Sequence, residues 1–590
     1  MAALTTTLLA PALCTTALAA TPVATAPAQD MSQLLGRVVE DAIPFMSFAL
    51  GDAAEWVNHP KDAGLKRAFT LLDDRLAELP QEMNGNMPPP LQMALSPEAI
   101  PTWLHFLRSP KSFSIGGSTE LQSQDGEGLV MGFALHEPSE EAAAAYEAEL
   151  MGLLAQMGAE MPPGIIQREG SSLVVKAGMQ PAAIGSTKAA ALLEGGSMVE
   201  EVTINVGGFI QHLERQFQIG YAPPEAAMVL ELLRRFGLDQ MTMDMAVKTD
   251  GTHMHTASVM SGIGGRMIEA GILKADGLMA SHLAPIPADA HFASVQRLDM
   301  GALFEGLNSL ASGIMAEQGM GDDADLGEMV KSMVGIDLRE GLFGAFGDTF
   351  GFYSSDTTGG GGMTSMVMFA SIEDVDALTD TKEQIEMLLN SVAAGETNGY
   401  VSFRTWMDGE VEYTTLMFPG LPVPLEITFA MSDRWAVFGA TPQAALGAMR
   451  HITSGGKSIS SHPDLAPLLG QSSRTAVSYM DTAYYARMGY GPTTMMMSAV
   501  SNAVRSPMDA TRDAGPMMPT YSDFAEGIMP QIGYTEVRDG DLITIASGDG
   551  STVVGIAAAM GILQEFAPLI MIPVMAAGAE EMGREFGFRF

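Results

Sequence analysis

The sequence predicts an α+β protein made of two tandem, weakly similar units with largely antiparallel sheets and packed amphipathic helices. Three observations predict it. β-like alternating runs lead into amphipathic helical stretches, Asp-Gly pairs sit between alternating runs, and matched segments recur in the same order in both halves. At 590 residues the chain exceeds one ordinary core. Apolar residues at 47% against 17% charged supply ample material to bury.

In chain order, residues 1–20 (MAALTTTLLAPALCTTALAA) read as a signal peptide. Ala17-Leu18-Ala19 matches a small-x-small cleavage pattern, with Ala20 as an alternative cut, although no basic residue precedes Arg37. Residues 21–37, rich in Pro, Ala and Thr, read as a flexible leader. The first α+β unit is expected over 38–280 and the second over 281–550. Asp41-Ala42-Ile43-Pro44-Phe45 and Asp289-Ala290-His291-Phe292 open them, and Asp52 and Asp299 begin the helical patterns that follow.

LVMGFALHE (129–137) parallels SMVMFASIE (365–373), each ahead of an amphipathic helix. Tyr146, Leu150, Leu153, Leu154 and Met157 share one helical face, and Leu378, Ile385, Leu388 and Leu389 share another. Asp250-Gly251 and Asp539-Gly540 mark hairpins, and the second unit carries extra hairpin sequence around Tyr400 to Phe429. An apolar C-terminal helix and tail are expected over 551–590. Between Val553 and Gly578 the only charge is Glu565. Its length could span a bilayer, but Glu565, Pro568, Pro573 and an acidic tail favour packing against protein.

The Arg434-Trp435-Ala436-Val437-Phe438-Gly439 strand, the Pro442-to-Met449 helix after it and the Ser458-Ile459-Ser460-Ser461-His462-Pro463 element resemble an uncharacterised family of bacterial extracytoplasmic proteins. The resemblance covers 285–550 closely and 38–280 loosely. It implies export, a periplasmic or extracellular location and duplicated units, and it brings no activity with it.

Composition bounds the function. Seventy Asp plus Glu against 31 Lys plus Arg give a net charge of −39, which repels phosphate backbones and anionic headgroups. Nucleic acid is therefore not an expected partner. The one cysteine, Cys14, lies in the expected signal peptide, so the mature chain has no thiol chemistry. The 46 methionines read mostly as adaptable core filler.

Tempting motifs fail on chemistry. Gly455-Gly456-Lys457-Ser458 lacks the upstream glycine of a phosphate loop, where His451 stands. Ser454-Gly455-Gly456-Lys457 matches S-x-x-K, but that chemistry needs a helix that a Gly-Gly pair disfavours. Asp322-Asp323-Ala324-Asp325 lacks the ligand spacing of a calcium loop, and Gly359 to Gly362 reads as a turn.

Only His253-Met254-His255, beside Met241-Thr242-Met243-Asp244-Met245, gathers metal-ligand chemistry. A two-residue Asp250-Gly251 turn would set Val247 opposite Met254. The methionines would then line one side, as a core face does, and His253, His255 and Asp244 the other. The candidate ligands are those three residues, for an imidazole–carboxylate site. The sequence implies no cofactor and no catalytic residue. The favoured reading is a non-catalytic exported binding or envelope-associated module with an unknown ligand or protein partner. The alternatives are a Met/His copper-handling protein and a hydrolase whose residues are scattered along the chain.

Overall fold

The computed structural model describes residues 34–82, 96, 99–118, 128–156, 164–219, 234, 237–317, 325–393, 395, 397–418, 425–507 and 509–565. The expected signal peptide with Ala19 and Ala20, most of the leader, Asp322 to Ala324 and residues 566–590 lie outside them. The fold is α+β, with helices packed on extensive antiparallel sheet.

The chain divides into two units, Met1–Gly262 with Gly489–Met529 and Ile543–Ala558, and Ile263–Met488 with Pro530–Leu542 and Ala559–Phe590. In the first unit the strands are β1 Ile43–Leu50, β2 Lys111–Gly117, β3 Leu129–His136, β4 Ile166–Glu169, β5 Ser172–Ala177, β6 Ser197–Asn205, β7 Thr242–Thr249 and β8 His253–Met260. They pair antiparallel in the order β4-β5-β3-β2-β1-β6-β7-β8.

Partners across a ladder share a face, so Ala134, Ser112, Ala49, Glu201, Ala246 and Ala257 form one row. None of the six is more than 4% exposed. The opposite face, at Phe133, Leu135 and Leu173, receives helix α1 (Glu140–Gln156) through Ala143, Tyr146 and Leu150. The small-residue row receives helix α2 (Lys188–Leu192), whose Ala189 and Ala190 pack on Ala246, Ala257 and Val259. Alanines on both sides let this short helix sit close to the sheet.

The second unit contains β9 Ala290–Arg297, β10 Phe346–Ser355, β11 Val367–Ile372, β12 Ser402–Asp408, β13 Val411–Met417, β14 Thr428–Met431, β15 Trp435–Gly439, β16 Arg474–Met480 and β17 Gln531–Arg538. Their antiparallel order is β12-β13-β14-β15-β11-β10-β9-β16-β17. Helix α3 (Val375–Leu388) covers one face through Leu378, against Ala436, Phe429 and Phe438. Helix α4 (Pro442–Ser454) covers the other, placing Ala444, Ala445, Ala448 and Met449 in a core with Phe369, Tyr413 and Val437. Each fully buried side chain the size of Val437, Phe369 or Met449 contributes about 1.5–3 kcal/mol, and each alanine less.

The caps of α4 account for the motifs around it. The Thr441 hydroxyl accepts from the Ala444 amide, Pro442 opens the helix, and Gly455 at φ +65° closes it. The glycines of the S-x-x-K and phosphate-loop matches are thus a helix stop. Strand β18 (Asp541–Asp549) adds beside β8, and residues 552–565 are helical. Among the described residues no helix is long and apolar enough to cross a membrane.

Candidate functional site

The β7–β8 hairpin differs from a two-residue turn. The ladder closes at Thr249–Met254, two residues beyond the spacing that Asp250-Gly251 alone would set. The cause is Asp250, whose Oδ1 accepts from the amides of Thr252 (2.8 Å) and His253 (2.6 Å) and wraps the chain into a longer loop. Gly251, at φ +85°, supplies the conformation that this loop needs.

The structure brings His253 and His255 together, with ring centroids 5.7 Å apart and planes 26° from parallel. It does not bring Asp244 to them. Asp244 pairs with Val259, four residues beyond His255 along β8 or about 13 Å. Its Oδ1 accepts from the Thr203 hydroxyl (2.9 Å) and its Oδ2 from the Lys188 amide (3.2 Å), at the N-terminus of α2. Glu201 beside it accepts from the amides of Gly185 (2.5 Å) and Thr187 (2.7 Å). Both buried acids are thus engaged in holding the start of α2 to the sheet.

The acid beside the histidines is Asp250. Its Oδ2 lies 3.2 Å from His253 Nδ1 and 3.9 Å from His255 Nε2. The donated amides, His253's foremost, hold its carboxyl down at about 2. Sequence reasoning used Asp250 only as a turn former. The available signal was its place three residues before His253, where an Asx turn folds the carboxylate back. The methionine side is also not the densely packed one. Met243, Met245, Met254 and Met260 are half-buried, while Ala246, Ala257 and Val259 carry the contacts with α2.

A Ser–His pair exists elsewhere in the same unit. His136 bridges Ser112 Oγ (3.1 Å from Nε2) and Ser172 Oγ (2.9 Å from Nδ1), a row across β2, β3 and β5. Burial lowers the His136 pKa. Ser112 is 0% exposed, so no substrate carbonyl can approach its hydroxyl, and the position of an orienting carboxylate is taken by Ser172.

In the second unit Glu565, the charge in the apolar C-terminal segment, accepts from the Gly362 amide at 3.0 Å. It also hydrogen-bonds Tyr484 and Tyr485, and burial raises its carboxyl. Tyr484 stacks on His291 at 3.7 Å. Gly361 meets the Tyr484 hydroxyl so closely that a Cβ there would overlap it, whereas Gly359 and Gly360 are exposed.

The first unit also holds a half-open cleft of 460 Å³ between the helix Thr482–Val504, from Tyr490 onward, and the irregular segment 515–520. Met497, Ser501, Met517 and Met518 are buried at its floor, and Ser498, Asn502 and Arg505 are exposed at its rim. The segment's wall of the cleft is tied down. Arg67 donates to the carbonyls of Ala514 (2.9 Å) and Pro516 (3.2 Å), and Tyr490 donates to Pro519 O (2.9 Å).

No protein family, curated protein or solved structure matches this chain.

Proposed function

We propose that the protein is an exported, non-catalytic binding module, built from a duplicated α+β unit, that holds a small organic ligand with both apolar and polar parts in the first unit. The cleft beside Met497 and Met518 carries this reading. Its 460 Å³ lies within the range of small-molecule sites, about 300–1,000 Å³. A thioether floor adapts to irregular apolar shapes, and hydroxyl and amide groups at the rim can orient a polar end.

Strand order supports the duplication. The run β4-β5-β3-β2-β1-β6-β7 in one unit parallels β14-β15-β11-β10-β9-β16-β17 in the other. In each, the helix after the third strand and the helix after that strand's outer neighbour lie on opposite faces. The apolar run ending in Ala17-Leu18-Ala19-Ala20 supports export. The non-catalytic reading draws support from the burial of Ser112 and from the capping duty of Glu201 and Asp244.

Titration with the fluorescent apolar probe anilinonaphthalene sulfonate tests the cleft. One saturable site is expected in the native protein, and Ser498→Trp, which places an indole in the cleft mouth, should abolish it. Equal binding by the variant contradicts the assignment.

A further inference from the structure

The Asp250 loop shares no residue with the cleft and has a chemistry of its own. We propose that Asp250, His253 and His255 bind one divalent borderline transition-metal ion, with Zn(II) as the reference case. One candidate ligand atom from each of the three residues lies within 4.8 Å of the other two, and Oδ2 of Asp250 is 3.2 Å from Nδ1 of His253 and 3.9 Å from Nε2 of His255. Zinc–nitrogen and zinc–oxygen bonds of about 2.0–2.2 Å put tetrahedral ligands about 3.3–3.5 Å apart. The two separations from the carboxylate, 3.2 and 3.9 Å, bracket that spacing.

Three further features favour an ion over a plain His–Asp hydrogen bond. First, the two backbone amides occupy Oδ1 of Asp250 and fix the carboxylate, which leaves Oδ2 directed at both rings. Such outer partners are what orient a metal-binding carboxylate. Second, the cation nearest in the ladder is removed. Lys248 pairs with His255, but its Nζ donates to the carbonyls of Ala190 (3.0 Å) and Leu193 (2.7 Å) at the end of α2. The site therefore keeps its negative charge.

Third, all three side chains are partly exposed, between 36% and 45%, so hydrated ions reach them and a fourth position stays open to water. Met254 points to the other side of the sheet, which leaves nitrogen and oxygen donors only. That set suits Zn(II), Ni(II) and Cu(II), and neither Cu(I), which prefers sulfur, nor Ca(II), which takes more oxygens.

Calorimetric titration of the untagged full chain with Zn(II), and separately with Ca(II), tests the site. One equivalent of Zn(II) is expected, with no comparable Ca(II) binding. The His253→Ala/His255→Ala double variant should bind Zn(II) at least about tenfold more weakly. Asp250→Asn, which keeps an oxygen for the two amides but loses the charge, should fall between. His462→Ala, a histidine of the other unit, should bind as the native protein does. Circular dichroism matching the native spectrum shows that each variant is folded. Zn(II) affinity unchanged in the double variant, or native protein that takes up no Zn(II), overturns the proposal.

Discussion

His136 is the residue whose setting predicts a pH response. Burial lowers its pKa below the ordinary 6.5, so the unfolded chain holds the proton more tightly than the native one. Its contribution to stability is complete above about pH 6.5 and is lost as the pH falls below that value. Burial also lowers the pKa of His282 and His451, which add to the same trend. Thermal unfolding should therefore occur at lower temperature at pH 5 than at pH 7. The difference should shrink in His136→Gln, whose amide can still bridge Ser112 and Ser172. An unchanged difference would show that His136 does not titrate in this window. Residue-scale detail was the least legible in the sequence. Asp244 and Asp250 are both acids near the His pair; the place of Asp250 three residues before His253 hints that it turns back on its own loop, but nothing local shows that Asp244 is engaged by the Lys188 amide 56 residues away.

Elements were more legible, because their signals are local. The amphipathic stretches after residues 137 and 373 are α1 and α3, and Asp52 and Asp299 each accept from an amide at the start of the helical segment that follows. The Asp539-Gly540 turn has both residues at positive φ, 53° and 84°, as a type I′ hairpin requires. Register was less legible. Phe133 shares its face with Leu135 under α1, whereas Phe369 lies in the core under α4, so matching those two phenylalanines is off by one position.

The partner of the helix at 552–565 was also hidden, because it is 489 residues away. Asp62, fully buried, accepts from the Ser551 hydroxyl (2.8 Å) and from the amides of Thr552 (2.8 Å) and Val553 (2.9 Å). It caps that helix from a distant part of the chain, where a carboxylate is favoured by the free amides and the helix dipole. Asp62→Ala should lower unfolding stability in urea by about 2–3 kcal/mol, the range of a charge-assisted buried cap. A loss within about 0.5 kcal/mol, the size of an ordinary surface change, would mean that the helix start is held by other contacts.

At the scale of the whole molecule, alternation and helical periodicity made the α+β class legible, and the ordered similarities pointed to a repeated unit. The assignment of chain to each unit was not legible. Residues 489–529 and 543–558 belong with the first unit although they follow nearly all of the second. Return segments of this kind leave no local signature. The cleft is built from two of the elements concerned, the helix from Tyr490 onward and the segment at 515–520, and it carries no sequence motif.

Native mass spectrometry of the untagged protein, isolated from the exported fraction of its source cells, tests the binding-module account most directly. The account predicts a chain beginning after Ala19 or Ala20 that carries one small organic molecule, with the molecule absent from Ser498→Trp prepared in the same way. A chain that retains Met1, or the same adduct on the native protein and Ser498→Trp alike, would contradict it.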